Sequence, residues 1–282
     1  MIKAVQQFML GTVLNSEAQA HQTLAAIAGA GYGGIELCGF MIHPTPFAVR
    51  LLTRAAGMPS GNGGKLDWHR LVRESGLKVV SLHLDLGTLE RDIAACAEEA
   101  RSFGTEYIVI TGMYRFDYSS SDAVRELARR LNHAGQQLKE HGIQLLYHNH
   151  NCELLTTDSG MRAYDILISK TNLDYVNFEF DSYWFAEAGA DPLFWMNRLG
   201  SRMKLWHIAD RGSRVTGTLM TPIVKSDSVE LGTGNLPLDA LTETAKNNGC
   251  QAVILESHRN WIEKDPVKSL QFSSKYLNSR IL

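Results

Sequence analysis

Four cysteines in 282 residues are too few and too scattered to staple a fold together. Cys38, Cys96, Cys152 and Cys250 form no CxxC pair, which argues against disulfides and against a thiolate zinc site; reduced thiols in a cytosolic protein are expected. Charge of one sign is missing too. Twenty-eight Lys and Arg stand against 30 Asp and Glu, for a net charge of −2 and a pI of about 6.6. With no basic excess to hold a phosphate backbone, no nucleic-acid partner is expected. No apolar run approaches the ~20 residues that cross a bilayer. The opening MIKAVQQFMLGTV carries no small-residue cleavage pattern and reads as a first strand instead of a signal peptide. A cytoplasmic protein with no membrane partner is expected. Nor does the composition break anywhere: 44% hydrophobic and 21% charged residues suit one globular domain over residues 1–282.

What is present is an alternation of short β-rich runs with longer helix-periodic stretches, the pattern of βα units around a parallel sheet. Eight runs can be read: 4–10, 34–38, 79–85, 107–111, 143–148, 175–181, 203–210 and 252–256. Helices are expected at 18–28, 89–103, 121–140 and 238–248. In the third, Val124, Leu127, Leu131, Ala134 and Leu138 recur every three or four residues, and Gly142 follows as a C-terminal stop. Eight strands with interleaved helices in a chain of this length make an α/β fold of the (β/α)8 TIM-barrel type the leading architecture. The rival, a doubly wound open sheet, would want a glycine-rich turn after the first strand, where LGTVLNSEAQ stands instead. The stretches 41–65 and 211–234 exceed ordinary loop length and read as rim loops over a site.

Chemistry concentrates where the later apolar runs stop. Glu153, Asp181, His207 and Glu256 follow GIQLLYHNHNC, YVNFEF, MKLW and AVIL. In a barrel of parallel strands such ends converge on one mouth. Three carboxylates brought together repel one another unless a cation or proton intervenes, and with one His among them a divalent metal is the economical explanation. Taken singly, Asp181 could cap a following helix and His207 could be a satisfied core histidine.

GYGGIEL, HNHNCE, FEFD, KLWHIAD with a later LGTGNLPL, and VILES together resemble the sugar phosphate isomerase/epimerase family of xylose isomerase-like barrels. The resemblance runs along nearly the whole chain. It implies a Mn²⁺, Zn²⁺, Mg²⁺ or Co²⁺ ion, Mn²⁺ first, held by Glu153, Asp181, His207 and Glu256. At the fifth strand the sequence departs from the commoner pattern: His148 occupies the slot where many members have Glu. Either Glu153 folds back to the metal, which is the reading preferred here, or His148 or His150 takes its place. The resemblance also implies a small sugar, keto-sugar or polyol substrate. Glu153 and Glu256 would be the acid/base pair that moves a proton beside a carbonyl through an enediolate, giving isomerisation or epimerisation. A leaving hydroxyl at the β carbon would turn the same chemistry into a dehydratase or lyase reaction. A non-catalytic sugar-binding barrel is the alternative outside enzymes.

Substrate contacts are expected from His148, His150, His83, Glu36, Trp184 and Arg211. Each has a plain structural alternative: a core histidine, a helix anchor or a solvated arginine. Arg214 shares the loop of Arg211. Trp184, Phe185, Trp206 and Tyr114 are candidates for an aromatic wall, with core or rim packing the plainer reading of each taken singly. Phe40, Met41 and Phe47 could line the pocket or support a homo-oligomer.

Overall fold

In a computed structural model of the protein, described over residues 1–44, 64–215 and 217–281, eight parallel strands close into a barrel. They are β1 (Ile2–Gln6), β2 (Gly34–Cys38), β3 (Lys78–Leu84), β4 (Tyr107–Thr111), β5 (Gln144–His148), β6 (Val176–Asp181), β7 (Met203–Ile208) and β10 (Ala252–Leu255). Each neighbours the next, and β10 pairs with β1 to close the ring. Two three-residue strands, β8 (Asp210–Gly212) and β9 (Asp227–Val229), pair antiparallel outside the barrel.

All eight expected runs correspond to barrel strands, with two differences at their ends. The first run stops at Gln6, whose side-chain oxygen accepts from the Phe8 amide at 3.2 Å and starts a 3-10 turn over Gln7–Leu10. The seventh divides, since β7 ends at Ile208 and Asp210 begins β8. Helices Glu17–Gly29, Ser121–Glu140 and Leu238–Asn247 match expectation. The stretch expected as one helix over 89–103 is two, Leu86–Arg91 and Ile93–Ser102. Asp92 breaks it, with φ −157° and a side chain that accepts from the Ala95 amide at 2.9 Å to cap the second helix. Gly142 ends the long helix in the left-handed region, at φ 76°.

Period-2 alternation divides each strand between two cores. On β6, Phe178 and Phe180 face outward into the large cluster between strands and helices, beside Tyr164, Phe185 and Trp195. Inside the barrel a smaller cluster of Ala4, Val80, Val109, Leu146, Leu205, Ala252 and Ile254 fills the lower half. Each of its fully buried large side chains contributes about 1.5–3 kcal/mol by burial. The next inward position along several of these strands is polar, and there the interior changes character.

Of the two rim loops, residues 45–63 and with them Phe47 lie outside the described residues. Met41 is buried and Phe40 is exposed. The second loop is organised by Asp210, whose carboxylate accepts from the amides of Arg211, Gly232, Gly234 and Leu236 at 2.8–3.1 Å. This links KLWHIAD to LGTGNLPL. A Cβ at position 234 would overlap the Asp210 carboxylate, so glycine is required there.

Candidate active site

Two residues above the apolar interior, at the carboxyl ends of the strands, Leu146 gives way to His148, Leu205 to His207 and Ile254 to Glu256. On β6 the inward positions are Asn177, Glu179 and Asp181. These side chains converge in two linked groups.

The upper group is His148, Asp181, His207 and Glu256, all buried, with one ligand atom from each lying within 4.8 Å of the others. His207 Nδ1 is 2.8 Å from Glu256 Oε2 and 4.0 Å from Asp181 Oδ2. The Asp181 backbone is held from β5: the Asn149 side chain donates to the Asp181 carbonyl and accepts from its amide, both at 3.0 Å. Asp181 Oδ1 caps the helix Ser182–Glu187 by accepting from the Trp184 amide at 2.9 Å, so the same residue is both a cap and a member of the cluster.

The lower group joins Glu36, His83 and Glu179 to the same His207 and His148. His83 Nε2 lies 2.9 Å from Glu36 Oε1 and 2.7 Å from Glu179 Oε2. His207 Nε2 lies 2.7 Å from Glu36 and 3.2 Å from Glu179, and His148 Nδ1 lies 3.0 Å from Glu179. Gln6 and Ser81 also donate to Glu36.

Electrostatics show how much the site depends on positive charge. Burial pushes Asp181 up to about 6, with Glu256 adding to the rise. Burial would depress the His83 imidazole, but Glu36 and Glu179 outweigh it and push His83 up to about 10. For His207 the carboxylates of Glu179, Glu36 and Glu256 likewise overcome burial and hold it well above the ordinary range. Without a metal, protons on these imidazoles balance the carboxylates. Two carboxylates and two imidazoles within one ion's reach are also a donor set that fits a divalent cation, which would take the place of the proton between His207, Glu256 and Asp181.

Of the two possibilities at the fifth strand, His148 lies in the upper group and Glu153 lies outside it. The Glu153 carboxylate accepts from the Tyr147 hydroxyl at 2.7 Å, the His150 amide at 2.9 Å and the Cys152 thiol at 3.2 Å. It thereby ties down the HNHNCE turn from below. His150 stands at the mouth with its ring 5.0 Å from that of His148 and 5.9 Å from that of Trp184. Burial, reinforced by His148, pulls His150 down to about 3, so it is neutral.

Trp184 also contacts the ring of His258 at 5.4 Å, and His258 meets Phe8 at the same distance. Phe8 in turn packs on Phe40. The aromatic border of the mouth is therefore Trp184 with His150, His258, Phe8 and Phe40. Phe185 and Trp206 do not belong to it: both are buried in the outer core, where Trp206 donates to the Ser182 hydroxyl at 3.0 Å. Trp206 alternates with inward-facing His207 and so must face outward. Tyr114 is 74% exposed. Arg211 is paired with Glu187 at 2.6 Å, and Arg214 with Glu230.

Glu179, Asn149 and His258 were not singled out from the sequence. The signal for Glu179 was available, since in FEFD it shares the inward parity of Asp181. For Asn149 and His258 only the folded strand ends reveal the contact.

The sequence model of the xylose isomerase-like TIM barrel family matches residues 24–279. Among curated proteins, an inosose dehydratase of Mesomycoplasma hyopneumoniae (strain 7448) is 27% identical over 173 residues, 58% of this chain. The match spans only 57% of that relative's length. Among solved structures, a sugar phosphate isomerase/epimerase from Parabacteroides distasonis superposes with a TM-score of 0.78 at 20% identity, covering 99% of this chain and 94% of the other. An IolI protein with a bound zinc atom superposes with a TM-score of 0.67 at 16% identity, covering 99% and 97%.

Proposed function

The chain belongs to the xylose isomerase-like TIM barrel family, and from that premise we propose that it is a divalent-metal-dependent enzyme that moves a proton beside the carbonyl of a keto-sugar or polyol derivative, giving isomerisation or epimerisation. The observation that carries this reading is the convergence of His148, Asp181, His207 and Glu256 within 4.8 Å at the carboxyl end of the barrel. These four would hold the cation. Two imidazoles in the set favour Mn²⁺ or Zn²⁺ over Mg²⁺, which prefers oxygen donors. Once bound, a divalent ion supplies Lewis acidity that makes a C–H next to a carbonyl easier to ionise.

The protein's own part follows from where its groups stand. Glu256 is the carboxylate at the edge of the cluster. Burial would hold its proton on, but His258 and His207 outweigh it and keep it well below the usual carboxylate range, so it is ionised at neutral pH, the form in which a carboxylate can bind a cation or take up a proton. His150, neutral and at the mouth, can donate or accept a hydrogen bond to a substrate hydroxyl. Trp184, His258 and Phe8 offer ring faces to the C–H side of a sugar. Glu153 holds the turn that carries His150 and takes no direct part.

A second reading, dehydration, has its own support. With Glu153 turned away, Glu256 and His150 stand at the mouth in place of the expected pair Glu153 and Glu256. Loss of a β-hydroxyl needs one base and a group that hydrogen-bonds the departing oxygen, which Glu256 and the neutral His150 could provide, and one of the sequence relatives is an inosose dehydratase.

The test is proton exchange in D₂O, followed by NMR, over a panel of keto-sugars and inososes with the Mn²⁺-loaded protein. Exchange of the hydrogen beside the carbonyl is expected in either reading. Product retaining its oxygen marks epimerisation or isomerisation, and a new enone or dione absorbance marks dehydration. No exchange with any member of the panel would count against both.

A further inference from the structure

One carboxylate oxygen does an unusual amount in this barrel. Glu179 Oε2 lies 2.7 Å from His83 Nε2, 3.0 Å from His148 Nδ1 and 3.2 Å from His207 Nε2. Glu179 is fully buried, and its other oxygen has no hydrogen-bond partner among the described residues. Strand register brings this about. Glu179 pairs directly with His148 on β5, and Asp181 two residues on pairs with His207 on β7.

A neutral imidazole has one N–H and one lone pair, and a hydrogen bond at one nitrogen decides what the other can do. For His207, an N–H at Nε2 directed to Glu179 and Glu36 leaves the lone pair on Nδ1. Nδ1 is the nitrogen that faces Glu256 and Asp181. For His148, an N–H at Nδ1 directed to Glu179 leaves the lone pair on Nε2. The two imidazoles of the upper group therefore offer opposite nitrogens, and a single acceptor beneath them makes both choices.

We infer that Glu179 is a positioning residue that sets the tautomer and ring orientation of His148 and His207, and so determines which nitrogen each offers to a cation. This rests on the metal reading proposed above. Glu36 shares only part of the task, because it reaches His207 but forms no contact with His148 among the described residues. An amide at position 179 could not substitute. Its oxygen would accept more weakly than a carboxylate, and its NH₂ would ask the imidazoles for lone pairs at the nitrogens that now donate.

Zn²⁺ titration and a long-range ¹H–¹⁵N spectrum of the Zn²⁺-loaded protein test this without any substrate. The native protein should show an N–H on Nε2 of His207 and on Nδ1 of His148. Glu179→Gln should weaken Zn²⁺ binding by roughly 10–100-fold, the usual cost of losing such a partner, and disturb both ring signatures. Glu36→Gln should disturb His207 alone. If Glu179→Gln does not fold, the native spectrum decides: either imidazole metallated through the opposite nitrogen would overturn the inference. So would a folded Glu179→Gln protein with native Zn²⁺ affinity and unchanged ring signals. A native protein that takes up no Zn²⁺ would instead defeat the metal reading itself, and this inference with it.

Discussion

Leu205 and His207 are two residues apart on one strand and point into the same barrel, yet they do opposite things for the protein. The lower tier, with Leu146, Leu205 and Ile254, is apolar and fully buried, and it stabilises the barrel with no help from solvent, protons or ligands. The upper tier, with His148, His207 and Glu256, is almost as deeply buried but carries charges that repel one another unless a cation or protons sit among them. The comparison locates stability and chemistry within one interior: burial alone is worth having where the side chains are apolar, and becomes a reason to bind something where they are not.

The sharpest way to break the comparison is to remove one residue from each tier. Glu256→Gln should lower turnover by about 10²-fold or more while the protein stays folded, as measured on the substrate that the exchange screen identifies. Near-native turnover in that variant would remove Glu256 from the acid/base role. Leu205→Ala should do the reverse. It should cost roughly 2–5 kcal/mol of stability in denaturant unfolding and leave metal stoichiometry untouched; a loss of bound metal there would show that the tiers are not separable.

A smaller effect is expected at Asn149, which touches only the backbone of Asp181. Asn149→Ala leaves two buried backbone groups without partners, at a cost of about 1–3 kcal/mol each at most, and should loosen metal binding through Asp181. Isothermal titration with Mn²⁺ would show whether affinity falls with stability or stays native. The smallest change is one of pH alone. His207 is held protonated in the metal-free site, and Asp181 gains a proton below about 6. Metal uptake must therefore release one proton near neutrality and a second under acid conditions, so apparent affinity rises with pH and more steeply below pH 6. Titrations in buffers of different ionisation enthalpy count those protons; an affinity flat between about pH 5 and 8 would contradict the charge balance described here.

The barrel was legible in the sequence because period-2 runs and helical spacing are local properties, and each strand states its own alternation. Asp181, His207 and Glu256 were legible for the same reason, as polar residues ending apolar runs. Glu36 and His83 were legible only as separate candidates, and their joining into the lower group was not, since its contacts link distant parts of the chain: Glu36 and His207 are 171 residues apart and meet at 2.7 Å. Glu153 and His148 could not be separated by counting along the strand. The difference lies in a turn, where Asn149 clamps β6 and Glu153 binds the His150 amide, and no run of residue types announces such a turn. For Trp206 parity decides between wall and core packing, because its neighbour His207 already points inward and Trp206 is buried in the outer core.

The most direct test of the account is metal analysis of three purified proteins side by side: native, His207→Ala and Leu205→Ala, each incubated with Mn²⁺ or Zn²⁺ and then desalted. The account predicts about one equivalent in the native protein and in Leu205→Ala, and none in His207→Ala. A native protein without metal, or a His207→Ala variant that keeps it, would contradict the claim that the upper tier is a metal centre.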